Sequence, residues 1–204
     1  MIGILDYGLG NVQAFLTTFK RLGVDARRVR DVPELEGVDR LILPGVGAFD
    51  QAVATFDKSG MRPSVERMVH IENVPILGVC VGMQLLASYS DEGSRAGLGW
   101  IPGRVRSFRS AEASKNLPMP HMGWNDVIVS LDNGLWPRRA LGGRFYFLHS
   151  YYFETEAPEH VLATAEYGLN FGCIVGAGNI YGAQFHPEKS HAWGAQLLKN
   201  FAEL

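Results

Sequence analysis

Cysteine is scarce in this chain: only Cys80 and Cys173 occur in 204 residues. So sparse a pair excludes a disulfide-built scaffold and points to a reduced compartment. A zinc centre is equally unsupported. His186, Glu188 and His191 lie close in sequence, but no second cluster of Cys or His completes four ligands. Charge of one sign is also missing. The 19 Lys and Arg against 21 Asp and Glu leave a net charge of −2, which argues against a dedicated binder of nucleic acid or other polyanions. Two arginine groups, Arg27, Arg28 and Arg30, then Arg138, Arg139 and Arg144, read as a solvated face or the rim of a partner contact. No apolar run is long enough to span a bilayer, and there are no repeats or low-complexity tracts. Met1 runs straight into Ile2-Gly3-Ile4-Leu5-Asp6, a core-strand pattern with no basic leader, so the expected location is the cytoplasm without membrane attachment.

What remains is the composition of a globular enzyme-sized unit, 47% hydrophobic and 20% charged, expected to form a single domain over residues 1–204. The first half alternates. Residues 2–6, 24–29, 41–43 and 76–79 read as strands, and 11–22, 49–56, 61–70 and 83–89 as helices. Val12, Phe15, Leu16 and Phe19 set the helical period in the first of these. Such alternation implies right-handed βαβ units around a mostly parallel sheet, with sites at the carboxyl ends of its strands. Short strands then follow at 100–108, 127–129, 144–148, 161–166, 171–175 and 180–185, an antiparallel extension of the sheet. A polar, proline-bearing loop is expected at 110–120 and a closing helix at about 191–201.

Three segments carry chemistry. The run Pro75-Ile76-Leu77-Gly78-Val79-Cys80-Val81-Gly82-Met83-Gln84 is an apolar strand, a Gly-X-Cys-X-Gly turn and a helical pattern, the layout of a nucleophile elbow with sulfur as nucleophile. At the first turn of a helix, the dipole and free N–H groups favour a thiolate. A cysteine after an apolar strand can equally pack as a small hydrophobe, the reading that suits Cys173. Near the C-terminus, Gln184-Phe185-His186-Pro187-Glu188 supplies a base and a carboxylate. If this segment is extended, residues two apart share a side, and Glu188 can orient His186. Third, Pro44-Gly45-Val46-Gly47-Ala48-Phe49 follows a buried strand. Acyl transfer from an amide makes an oxyanion that needs two backbone N–H donors. Val81 offers one, and the Val46–Gly47 stretch offers the other unless it is a plain strand-to-helix turn. Gly8-Leu9-Gly10-Asn11 lacks the third glycine of a dinucleotide fingerprint.

Together these segments identify a resemblance. The chain resembles the triad-type (class I) glutamine amidotransferase domains, and within them the glutaminase subunits of imidazole glycerol phosphate synthase. The likeness runs through Asp6-Tyr7-Gly8-Leu9-Gly10-Asn11, the two motifs around Pro44 and Cys80, and Gly97-Leu98-Gly99-Trp100-Ile101-Pro102-Gly103. It continues in His121-Met122-Gly123-Trp124-Asn125, His149-Ser150-Tyr151-Tyr152, Gln184-Phe185-His186-Pro187-Glu188-Lys189-Ser190 and Leu197-Leu198-Lys199-Asn200-Phe201. The resemblance implies a flavodoxin-like α/β fold, an open, mostly parallel sheet with helices on both faces and an antiparallel extension.

It also implies roles. Cys80, His186 and Glu188 would be nucleophile, acid-base and orienting carboxylate, with Val81, Val46 and Gly47 as the oxyanion hole. Gly47, Gln84, Glu92, Ser150 and Tyr151 would hold L-glutamine, whose ammonium suits a carboxylate such as Glu92. Asn11, His121, Trp124 and Asn125 would face a (β/α)8-barrel cyclase in a heterodimer, with Trp124 as a docking anchor in a loop. Neither metal nor organic cofactor is expected. The chain departs from the usual pattern at Val81, where leucine commonly follows the nucleophile, and over Lys189-Ser190-His191-Ala192-Trp193-Gly194. Three other readings stay open: a related glutaminase serving surface-polysaccharide sugar biosynthesis, a cysteine peptidase-like hydrolase, and a non-catalytic regulatory partner.

Overall fold

A computed structural model describes residues 1–136 and 142–204. Arg138 and Arg139 lie outside the described residues. The amino-terminal half alternates as expected: β1 (Ile2–Leu5), α1 (Val12–Leu22), β2 (Ala26–Val29), β3 (Arg40–Gly45), α2 (Phe49–Lys58), α3 (Arg62–His70), β4 (Ile76–Cys80) and α4 (Val81–Leu85). There follow β5 (Tyr89–Ser90), β6 (Gly103–Ser107), β7 (His121–Val129), β8 (Gly143–His149), β9 (Tyr151–Thr155), β10 (Val161–Tyr167), β11 (Leu169–Ala177), β12 (Ile180–Ala183) and α5 (His191–Glu203). No helix of the described residues is long and apolar enough to cross a membrane.

The sheet runs β2-β1-β3-β4-β12-β11-β10-β7-β8. Its first five strands pair in parallel and the rest antiparallel, so the expected parallel core with an antiparallel extension is present. The central strands are apolar on both faces: Leu41, Ile42 and Leu43 of β3 and Ile76 and Leu77 of β4 are wholly buried. The helix α1 buries Val12, Phe15 and Phe19, one face of a 3.6-residue period. Asn11 Oδ1 accepts from the Ala14 N–H at 3.1 Å to cap it, and Gly23 ends it at φ 67°.

Four departures from the expected elements bear on the site. Strand β3 extends through Pro44 to Gly45, which stands opposite Cys80 on β4. The helix after the elbow begins at Val81 and stops at Leu85, short of the expected span of 83–89. Its carbonyls are diverted: Leu85, Leu86 and Ala87 accept from Leu98, Ile101 and Gly99. The chain then turns into β5, which lies parallel to β6. Strand β7 begins at His121 rather than at 127, so Trp124 lies in a strand and not in a loop. The polar residues disguised it, yet the period of two is kept: Met122, Trp124, Asp126 and Ile128 face out while His121 and Val127 are buried. Finally, Tyr151–Thr155 is a strand, β9, absent from the expected elements. It follows β8 after Ser150 alone but leaves that ladder to pair with β6 and β11.

Candidate active site

The elbow has a steric cause. Cys80 ends the fully buried β4 and caps α4 at φ 55°, ψ −113°, a strained region for a residue with a side chain. The turn is tolerated because Gly82 lets the start of α4 press on β3; a Cβ there would overlap the Leu43 carbonyl oxygen. The thiol stands at the first turn of α4, beside the Val81 amide. Gly45 is paired with Cys80, so the residues that leave β3, Val46 and Gly47, emerge next to the thiol. Gly47 has φ 86°, which suits glycine. Beneath this stretch, the buried Tyr7 hydroxyl donates to the Pro44 carbonyl at 2.7 Å, which explains one residue of the Asp6–Asn11 motif.

His186 reaches the thiol from the neighbouring strand. Strand β12 runs parallel to β4 with Ala183 opposite Val79, so the chain leaving β12 passes beside Cys80. The expected extended geometry fails after His186: Pro187–Lys189 is a 3₁₀ turn with Pro187 at its start. The Lys189 and Ser190 amides donate back to the His186 and Pro187 carbonyls. That turn, rather than strand alternation, brings Glu188 to its partner. Glu188 Oε1 lies 2.8 Å from His186 Nδ1, with both side chains almost fully buried. The Ser190 hydroxyl donates to the His186 carbonyl at 2.6 Å, and the His186 amide donates to Tyr146 at 2.9 Å. Burial disfavours the imidazolium, but hydrogen bonds with the Cys80 sulfur and the Glu188 carboxylate outweigh it and push His186 up to about 10. Glu188 Oε2 is buried with no protein partner.

These groups open on a cavity of about 280 Å³ lined by Val46, Gly47, Cys80, Val81, Gln84, Glu92, Pro120, Leu148, His149, Ser150, Tyr151, His186 and Lys189. Every residue assigned above to the oxyanion hole or to glutamine is in that lining. A family model described as glutamine amidotransferase class-I matches residues 3–204. Along its full length, and theirs, the chain is 53% identical to imidazole glycerol phosphate synthase subunit HisH of Bdellovibrio bacteriovorus and 48% identical to that of Leptospira borgpetersenii.

The chain belongs to the class-I glutamine amidotransferase family, in its HisH branch.

Solved structures share the fold. A crystal structure of a glutamine amidotransferase superposes with a TM-score of 0.77 at 23% identity, covering 99% of this chain and 97% of that one. The Thermotoga maritima PurLQS structure does so with 0.75 at 16%, covering 99% and 97%.

Within this amidotransferase the pocket residues have further duties. Gln84 Nε2 donates to the Tyr151 carbonyl at 3.4 Å and to Gln184 Oε1 at 3.1 Å. Only the Gln84 carbonyl oxygen is left for a ligand by those bonds. Glu92 Oε2 accepts from the Phe49 N–H at 2.9 Å and so caps α2, where Ala48 has no side-chain oxygen to offer. Its loop is clamped in return, since Asp50 accepts from the amides of Ser94 and Arg95.

The residues expected to face a partner differ in exposure. Trp124 is 39% exposed and stacks on His191 with ring centroids 5.2 Å apart. Asn11 is exposed at the start of α1. His121 is buried between Phe147 and Tyr167, so its assignment as an interface residue is corrected: its position in β7 points it inward. Asn125 is half-buried and bonds His121 and the Glu166 carbonyl.

His149 and Gln184 carry no sequence signal of a role in the site. Gln184 is fully buried, with Nε2 3.9 Å from Cys80 Sγ. Both sit inside motifs quoted above, but only contact with the pocket marks them. Among the described residues no group of three or more His, Cys, Asp or Glu is arranged to hold a metal ion.

Proposed function

We propose that this chain is the glutaminase subunit of an imidazole glycerol phosphate synthase in histidine biosynthesis, acting as one domain in the cytoplasm. The observation that carries the reading is the Cys80–His186–Glu188 constellation at the mouth of an amino-acid-sized cavity. The full-length identity to HisH subunits supports the pathway and leaves the polysaccharide alternative unfavoured. The intact triad disfavours a purely regulatory role.

The chemistry follows from the geometry. Glutamine binds with its ammonium toward Glu92 and its carboxylate toward the Gly47 and Ser150–Tyr151 backbones. The Cys80 thiolate attacks the side-chain amide carbon. The Val81 N–H, with one from Val46 or Gly47, holds the oxyanion. His186, protonated and steadied by Glu188, gives its proton to the leaving nitrogen, so ammonia departs and a glutamyl thioester remains. Water then adds to the thioester, His186 takes its proton, and glutamate leaves with the thiolate restored. None of these steps draws on a metal or organic cofactor.

Ammonia released into water is captured as ammonium, which makes a direct receiver necessary. The receiver proposed is a (β/α)8-barrel cyclase, docked on the face around Trp124 as a heterodimer. Mixing the two purified proteins tests this. Glutamine should support formation of imidazole glycerol phosphate and AICAR, and ammonium salts should do so without the present chain. Failure of glutamine to support synthesis while ammonium succeeds would overturn the pairing.

A further inference from the structure

Two buried histidines remain unused by this chemistry, and their hydrogen bonds define a single direction. His149 Nδ1 lies 2.7 Å from the Tyr151 carbonyl, which can only accept, so Nδ1 carries the proton and Nε2 is bare. His149 Nε2 lies 2.9 Å from His121 Nδ1, so that nitrogen must donate and His121 Nε2 is bare in turn. Asn125 Nδ2 donates to it at 3.2 Å. The Asn125 amide cannot be flipped, because Nδ2 also donates to the Glu166 carbonyl at 2.8 Å and Oδ1 accepts from the Asp126 N–H. The chain therefore runs one way, from Asn125 through His121 and His149 to Tyr151. His121 and His149 are register partners across β7 and β8, which fixes their spacing.

The surroundings hold both rings neutral. His121 is sandwiched between Phe147 and Tyr167, at 4.9 and 4.1 Å, while Phe108, Phe147 and Phe171 pack around His149. Burial pushes His121 down to about 4 and His149 down to about 3. An imidazolium at either position would also aim a proton at another donor.

The far end of the relay is the pocket wall. Ser150 and Tyr151 form the turn from β8 into β9, and the Tyr151 carbonyl receives both His149 and Gln84. Resting on the glutaminase reading above, we infer that His121 and His149 are positioning residues for glutamine. Their relay locks the Ser150–Tyr151 backbone at the height at which it meets the substrate's carboxylate. Neither ring takes part in proton transfer.

Two measurements test this independently of each other. In the folded chain labelled with 15N-histidine at neutral pH, long-range 1H–15N correlations should show both rings as the Nδ1–H tautomer, the minor form of free imidazole. An Nε2–H tautomer at either position would overturn the relay, whatever the protein's activity. In the assembled synthase, His121→Leu strips His149 of its donor. It should raise KM for glutamine roughly tenfold while kcat falls less than about threefold. His121→Asn, whose amide nitrogen replaces Nδ1, should restore KM to within about threefold of wild type. Ammonium-dependent synthesis should not change. An unaltered KM in a folded His121→Leu protein would sink the inference, as would a lowered melting temperature as its sole effect. A wild-type chain that fails to hydrolyse glutamine would instead defeat the glutaminase reading. If His121→Leu does not fold, the tautomers decide.

Discussion

Replacing Glu188 with glutamine removes one charge and keeps the shape. The carboxylate oxygen lies 2.8 Å from His186 Nδ1, and the two side chains are 3% and 5% exposed, so water screens the pair weakly. An opposite charge at such a distance typically moves a pKa by about 1–3 units, equivalent to about 1.4–4 kcal/mol between the two protonation states. His186, held up at about 10 by the Cys80 sulfur and Glu188, should therefore titrate about 1–3 units lower in Glu188→Gln. The sign carries through to stability. A raised folded-state value stabilises the protein fully below about 6.5 and loses that contribution as pH rises through the folded value. The variant should lose stability near neutral pH and show a flatter alkaline limb. Turnover should fall about 10²-fold, less than in His186→Ala, because the variant disturbs the base without deleting it. NMR titration of the His186 ring and glutaminase assays of both variants measure these quantities. An unshifted His186 titration in Glu188→Gln, or turnover below that of His186→Ala, would refute the reasoning.

Three further outcomes follow from the same contacts. Gly82→Ala places a methyl into the Leu43 carbonyl, so it should cost about 3 kcal/mol or more by urea unfolding; a cost under about 1 kcal/mol would mean the elbow is not that tight. Trp124→Ala should weaken cyclase binding by about 2 kcal/mol in calorimetry while leaving the isolated fold intact, and unchanged affinity would remove Trp124 from the interface. His121 and His149 refuse protons that the unfolded chain accepts below about 6.5, so together they should lower stability by about 3 kcal/mol between pH 6.5 and 5, the slope approaching about 1.4 kcal/mol per unit for each ring only below pH 6; a flat profile there would contradict their neutrality.

Much of the site was legible in the sequence because its constraints are local. Gly78, Cys80 and Gly82 stand within five residues, and His186 and Glu188 within three, so steric and chemical needs are written at fixed spacing. The parallel core was legible for a related reason: strands such as Leu41–Leu43 are apolar on both faces. What was hidden depended on distant partners. Residues 121–125 read as a loop because His121 and Asn125 are polar, and only His149 and Glu166, far along the chain, satisfy them. The span of α4 was misjudged because amides at 98–101 claim its carbonyls. The pairing of His186 with Glu188 was anticipated, but through strand alternation, whereas the Pro187 turn achieves it. Gln184 went unnoticed since nothing in the sequence places its amide near the Cys80 sulfur.

Cys80 as the nucleophile of a glutaminase is tested most directly by ammonia release from glutamine by the assembled synthase. Cys80→Ala should abolish that release, with ammonium-dependent synthesis preserved. Cys173→Ala should release ammonia at close to the wild-type rate, since that thiol is fully buried and burial pushes its ionisation up, out of reach near neutral pH. Ammonia release near the wild-type rate from Cys80→Ala would contradict the central claim.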